Sequence, residues 1–252
     1  MIKKIIEFKN VFATYKNSND LILRNVNFSI NEGEMVAIIG ESGAGKSSIF
    51  NAILNQLKIK KGDIFYNEKS LEKYSKKEFK KILNKIGFLS QSTNLISIEN
   101  VYESILRTYT KFKNFFYQFF KILTKIQKEE IYSTLDNLNI FDKAFTRISE
   151  LSGGQQKRVE IAKLLLQEVN LILADEPTSN LDLKNAQEVI KILKTLNETK
   201  NITILVNIHD LTLVKNNFNK FIAIKNGKIS TIGNPSNLTK EIIDDLYNHN
   251  VE

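Results

Sequence analysis

Gly40-Glu41-Ser42-Gly43-Ala44-Gly45-Lys46-Ser47 has the spacing G-x-x-x-x-G-K-[ST] and follows the apolar run Met35-Val36-Ala37-Ile38-Ile39. A strand that leaves through such a loop into a helix makes an anion cradle. Its glycines let successive N–H groups turn inward, and the helix adds its positive end beneath them. The chemistry expected is phosphate binding, with Lys46 reaching the β- and γ-phosphates of a nucleotide. The Ser47 hydroxyl is expected on Mg²⁺, a hard ion that takes oxygen ligands. A second apolar run, Leu171-Ile172-Leu173-Ala174, ends in Asp175-Glu176. It suits a buried parallel strand, and such strands deliver their last residues to the crevice where ligands bind. Asp175 can then hold Mg²⁺, directly or through water, while Glu176 orients or deprotonates a water attacking the γ-phosphate.

Between these motifs lies Leu151-Ser152-Gly153-Gly154-Gln155. Alone, a Ser-Gly-Gly turn before a helix reads as an N-cap. In this order, the three motifs resemble the ATP-binding subunits of ABC transporters, over nearly the whole chain from about Tyr15 to the strand beyond His209. That resemblance implies an ATPase whose active site closes between two subunits. Gly40, Glu41, Ser42, Gly43, Ala44, Gly45, Lys46, Ser47 and Ser48 would bind ATP, and Ser152 with the signature glycine backbone would contact the γ-phosphate held by the opposite protomer. Tyr15 matches the aromatic that stacks on adenine. Gln91 matches the glutamine that senses Mg²⁺ and the attacking water, which makes Ser47, Gln91 and Asp175 the implied metal set. Ser179-Asn180-Leu181-Asp182 matches the loop running across the dimer interface, and His209 the γ-phosphate histidine that acts with Glu176 and Gln91 in catalysis. His249, the other histidine, sits in a polar tail without a motif. Three departures leave the catalytic groups intact: Ser48 where many relatives carry Thr, Leu183 where many carry Pro, and Asn180 in place of a small residue.

The elements that must position these groups are legible in outline. Alternating patterns predict strands over 5–13 and 23–30, and Glu32-Gly33 turns into the strand before the phosphate loop. Ser75-Lys76-Lys77-Glu78 has the form of a capping box and starts a helix toward Asn84, followed by a strand over 86–89. The pattern from Gln91 to about Lys163 is helical. Strands at Leu171 and Ile202 then alternate with a helix over about 184–199, as in a parallel sheet. Asn226-Gly227 predicts a closing hairpin between 221–225 and 228–232. The expected class is α/β, a P-loop ABC ATPase fold with a parallel-sheet core, an antiparallel β-subdomain and a helical subdomain. It forms one ABC ATPase domain over 1–252, with its catalytic core at about 1–91 and 164–252 and the helical subdomain at about 92–163.

The stretch 103–127 is aromatic, holding Phe112, Phe115, Phe116, Tyr117, Phe119 and Phe120 among lysines. On a helix, Phe115, Phe119, Leu123 and Ile126 share one face, the pattern of core packing, with a docking surface as the alternative.

With 36 Lys+Arg against 28 Asp+Glu the net charge is +8. The lysines are scattered through an Asn- and Ile-rich background, which reads as compositional bias and not as a nucleic-acid site. A basic surface suits residence beside anionic lipid headgroups. No stretch approaches the roughly 18–20 apolar residues of a membrane span, and 1–7 lacks the apolar region of a secretory signal. The expectation is therefore a peripheral subunit at the cytoplasmic face of the cell membrane. Absence of cysteine removes disulfides and thiolate metal sites. One nucleotide-binding module implies pairing with a second copy, and the resemblance implies membrane permease subunits and an extracytoplasmic solute-binding protein.

Within the family the match is most similar to phosphonate importers, through Asn94-Leu95-Ile96, the aromatic insertion, Asp142-Lys143-Ala144-Phe145, the signature with Gln156, and Val206-Asn207-Ile208-His209. An ATPase subunit never touches the solute, so a phosphonate, a phosphate ester or another small nutrient such as a vitamin all stay open, and an exporter or lipoprotein-releasing ATPase, which shares every catalytic motif, is the alternative. A non-transport ABC protein acting on ribosomes or DNA is disfavoured, since such proteins generally carry two modules or a long coiled coil.

Overall fold

The computed structural model describes residues 3–247; His249 lies outside them. The chain opens with β1 (Lys4–Thr14), β2 (Leu21–Asn31) and β3 (Met35–Ile39), and the phosphate loop leads into α1 (Lys46–Ile53). Next come β4 (Lys58–Tyr66), β5 (Lys69–Ser70), α2 (Lys76–Leu83) and β6 (Ile86–Leu89). The middle of the chain is helical, with α3 (Val101–Thr108), α4 (Phe115–Phe119), α5 (Lys125–Asn137) and α6 (Gly153–Leu166). It closes with β7 (Leu171–Asp175), α7 (Leu183–Lys200), β8 (Thr203–Asn207), β9 (Lys220–Lys225), β10 (Lys228–Gly233) and α8 (Lys240–Tyr247).

Two sheets result. A six-stranded sheet runs β10-β9-β3-β8-β7-β6, parallel except for the β9–β10 hairpin, and a four-stranded antiparallel sheet runs β2-β1-β4-β5. The central strands are buried along their whole length because both faces of the sheet are covered, and the alternation of a strand divides their side chains. Met35, Ala37, Ile172, Ala174, Ile204 and Val206 face a core built with α3, α5, α6 and α7. Val36, Ile38, Leu171, Leu173 and Leu205 face the other way, onto α1 and the antiparallel sheet.

The capping box expected at Ser75 is present, with Glu78 Oε2 accepting from the Ser75 N–H at 2.8 Å. The sequence pattern missed β4 and β5, whose charged Lys58–Asp63 portion hides the alternation that Ile64 and Tyr66 complete.

The region expected to be helical from Gln91 is an irregular loop with a turn at 97–98 until α3 begins after Asn100. There the backbone finds partners in the short 3-10 turn Ile148–Glu150: Ile148 N–H donates to Glu99 O at 2.9 Å and Ser149 N–H to Ser97 O at 3.1 Å. The expected core stripe is also corrected. α4 stops at Phe119, and Lys121 adopts a left-handed φ of 51°, so Leu123 and Ile126 do not continue its face. Leu123 is buried, but Phe115, Phe119 and Ile126 are 80%, 70% and 78% exposed.

Leu205 sits fully buried at the sheet centre. Leu205→Ala is expected to lower stability by about 2–5 kcal/mol, seen as an earlier urea midpoint with an unchanged slope.

Candidate active site

The phosphate loop turns on glycine backbone. Gly40 has φ +150°, and a Cβ there would meet the Ile224 carbonyl oxygen at 2.2 Å, so no side chain fits. No side chain caps the first turn of α1, so its N–H groups stay available to an anion. Lys46, only 5% exposed, lies across this loop and donates to the carbonyls of Gly40 and Glu41, each at 2.9 Å. Burial pushes its ammonium below the ordinary lysine value, and the carboxylates of Glu176 and Asp175 oppose that shift.

The carboxylates arrive where sequence reasoning put them, at the end of β7. Asp175 Oδ1 accepts from Ser47 Oγ at 3.0 Å and from the Asn207 side-chain amide at 2.6 Å. Ser47 and Asp175 thus present only oxygen to the space beside the loop, a donor set that fits Mg²⁺. Glu176 follows with a left-handed φ of 49°, held by its N–H to Asn207 O at 3.1 Å and by Ser179 Oγ donating to its carbonyl at 2.8 Å. Its Oε1 is 2.6 Å from His209 Nε2, in a hydrogen bond whose donor is set by the imidazole tautomer. A cavity of about 310 Å³ opens beside this pair, lined in part by Ser179, Leu181, Asp210 and Leu213. Tyr15 is half-exposed beside α1, its hydroxyl 3.2 Å from Ser48 Oγ.

The signature stands apart from these groups. Ser152 is the N-cap of α6: its hydroxyl accepts from Gln155 N–H at 3.3 Å and its own N–H donates to Gln155 Oε1 at 2.9 Å. The bland capping reading is thus correct, and it leaves Ser152 and Gly153 exposed at a helix N-terminus. Behind them, a Cβ on Gly154 would meet Asn185 Oδ1 at 2.7 Å and one on Gly153 would meet Leu181 at 3.1 Å, so the glycines allow close approach to the Ser179–Asp182 loop. Asp182 caps α7 by accepting from Asn185 N–H at 2.9 Å, which holds its carboxyl below the usual range.

Gln91 leaves the sheet at the same end as Asp175, since Leu89 pairs with Ala174. It is exposed and, among the described residues, makes no hydrogen bond to the other site groups. Its neighbours are fastened to α6 by residues that motif reading missed. Lys157 Nζ donates to Ser90 O and to Glu160 Oε2, both at 2.8 Å, and Glu160 Oε1 accepts from Asn94 N–H at 3.0 Å. Gln156 accepts from Thr93 Oγ1 at 3.1 Å and donates to the carbonyls of Ile148 and Leu151. Lys157 and Glu160 are both buried, and their spacing of three on a helix was the available signal. Asn207, fully buried, showed itself as one polar residue in the apolar run Ile204–Ile208.

A phosphate loop at one strand end and paired carboxylates at another define a P-loop ATPase. The chain belongs to the ABC transporter family, whose model matches residues 23–179. It is an ATP-binding, ATP-hydrolysing subunit of that family. It is 37% identical over 244 residues, 96% of each chain, to "Probable ABC transporter ATP-binding protein p29" of Mesomycoplasma hyorhinis. It is 38% identical over 243 residues to the phosphonates import ATP-binding protein PhnC of Lactococcus lactis subsp. cremoris, covering 96% of this chain and 98% of that one. Among solved structures it resembles cbiO1 of Clostridium perfringens, part of the transporter complex cbiONQ, with TM-score 0.82, 28% identity and coverage of 96% and 94%. It also resembles a cassette described as dimeric, in a post-hydrolysis state bound to ADP and Pi, with TM-score 0.76, 31% identity and coverage of 91% and 98%.

Removing one member of a buried ion pair leaves the other charge uncompensated. Lys157→Met is expected to cost about 3–5 kcal/mol in equilibrium urea unfolding, and the double change Lys157→Met with Glu160→Leu to recover most of that loss.

Proposed function

We propose that the chain energises import of a small phosphonate-type solute through a separate membrane permease fed by an extracytoplasmic solute-binding protein. Two copies would close on two ATP molecules, as a homodimer at the cytoplasmic face of the membrane. The observation that carries the catalytic reading is the pairing of Ser47 with Asp175 at 3.0 Å and of Glu176 with His209 at 2.6 Å at adjoining strand ends, with Lys46 within electrostatic reach of both carboxylates. The likeness to the phosphonates import ATP-binding protein PhnC supports the solute.

In this reading the residues divide the work. Lys46 and the N–H groups of 40–48 hold the phosphates, and Tyr15 faces the adenine. Ser47, Asp175 and Gln91 are the groups that would hold Mg²⁺, with Asn207 fixing the Asp175 carboxylate. When bound, the ion neutralises phosphate charge in the transition state. Glu176 accepts the proton of the attacking water while His209 steadies its carboxylate. Ser152 and Gly153 are exposed at the N-terminus of α6, where they would meet the γ-phosphate on the opposite protomer. The Ser179–Asp182 loop would lie along the same interface. Residues 92–163 act as the helical subdomain whose motion against 1–91 and 164–252 drives the permease.

Co-purification from membranes tests the partners and the solute. The expected permease travels with a binding protein that takes up phosphonates in calorimetry; a partner that binds only an unrelated nutrient would overturn the solute. Glu176→Gln is expected to keep ATP binding, stop turnover, and give a stable dimer with ATP and Mg²⁺ on size exclusion; near-normal hydrolysis would remove Glu176 from its role. Lys46→Ala is expected to weaken nucleotide affinity and rate together, because its contact exists before the transition state, and unchanged affinity by calorimetry contradicts it.

A further inference from the structure

We propose that the Phe115–Phe120 segment is a membrane-contact element that seats its rings in the interface of an anionic lipid bilayer. This goes beyond the transport reading and concerns the isolated chain. The rings form one continuous surface cluster: Phe116 and Phe120 centroids are 4.6 Å apart, Phe119 and Phe120 5.1 Å, and Phe115 and Phe119 6.4 Å. Every one of these four rings is more than half exposed, and Ile122 and Ile126, a few residues further along the chain, are exposed as well. So much apolar surface on one small segment calls for a partner.

Charge says which partner. Between Glu103 and Glu129 the chain carries Arg107, Lys111, Lys113, Lys121, Lys125 and Lys128 and not one Asp or Glu. Some of these are compensated from outside the segment: Arg107 by Glu99, Lys111 by Glu130 and Glu168, and Lys125 by Glu129 at 3.9 Å. Lys113, Lys121 and Lys128 are exposed and form no ion pair among the described residues. Aromatic rings interleaved with uncompensated lysines match the bilayer interface, where the rings enter the headgroup–acyl boundary and the lysines meet anionic headgroups.

The segment is built to present this head. Lys111 Nζ is 2.5 Å from Glu130 Oε1, and Tyr109 donates to Glu130 Oε2 at 3.0 Å. The Gln127 amide donates to the Lys111 carbonyl, and Thr124 closes a capping box with Gln127. Buried Leu123 anchors the far side. The neck is therefore fixed while the rings stand clear.

Flotation of the purified chain with phosphatidylcholine vesicles, with and without added phosphatidylglycerol, tests this. Binding is expected to the anionic vesicles, weakening with salt and nearly absent on neutral ones. Joint replacement Phe115→Ser, Phe116→Ser, Phe119→Ser and Phe120→Ser is expected to lower it more than about tenfold. Lys113→Gln, Lys121→Gln and Lys128→Gln are each expected to cost about fivefold. Melting temperature and basal ATPase stay unchanged in both sets, and ATPase on the same samples reports separately on the catalytic reading. If the fourfold variant does not fold, Phe119→Ser alone and the lysine variants make the same comparison. The proposal is overturned if the unmodified chain ignores anionic vesicles or the folded Phe variants bind them undiminished. It is equally overturned if those variants keep vesicle binding but lose the permease in detergent, the mark of a protein-docking surface.

Discussion

The site depends on the parallel register of three neighbouring strands. β8 lies between β3 and β7, with Val206 level with Ala37 on one side and Ala174 on the other, and Asn207 level with Ile38 and Asp175. That alignment sets the phosphate loop and the carboxylates at the same height above the sheet. From it follow the 3.0 Å contact of Ser47 with Asp175 and the 2.6 Å contact of Glu176 with His209, which joins the end of β7 to the residues after β8. A slip of one residue in any strand would turn side chains to the opposite face and separate the groups, but the two apolar cores on either side of the sheet forbid it.

The second constraint is the attachment of α6. In its buried Lys157–Glu160 pair, Lys157 donates to Ser90 O and Glu160 accepts from Asn94 N–H, so both sides of the bend around Gln91 are tied to the helix bearing the signature. At its N-terminus the same helix packs through Gly154 against Asn185, adjoining the loop that ends at Asp182. Through these contacts α6 adjoins at once the signature, that loop and the surroundings of Gln91. Since replacing such a pair with apolar residues is often neutral for stability, its hydrogen bonds to the bend, more than any net gain in stability, are what it contributes here.

Much of this was legible in the chain. Residues 40–47 could be read because the loop needs glycine, lysine and a hydroxyl at set spacings whatever surrounds it, and Asp175-Glu176 because an apolar strand declares its own end. What stayed hidden depends on long-range partners. The backbone at Ser97–Glu99 leaves the helical pattern because 148–149 pairs with it, which no local propensity reveals. The β4 alternation was masked by the lysines of its exposed first half. The Phe115–Ile126 face looked like core because periodicity records spacing and not whether the helix lasts; Lys121 breaks it. Asn207 needed the register with Asp175 before its polarity acquired a meaning.

Glu176 occupies a left-handed backbone conformation that glycine or asparagine adopts with less strain than glutamate. The discomfort is of order 1 kcal/mol or more, borne at the residue that faces the γ-phosphate in the catalytic reading. Selection for thermal robustness alone would therefore drift at this position toward glycine or asparagine, enriching folded proteins without a base. Persistence of glutamate there under laboratory evolution would be a signature of turnover being selected, independent of any assay for the transported solute.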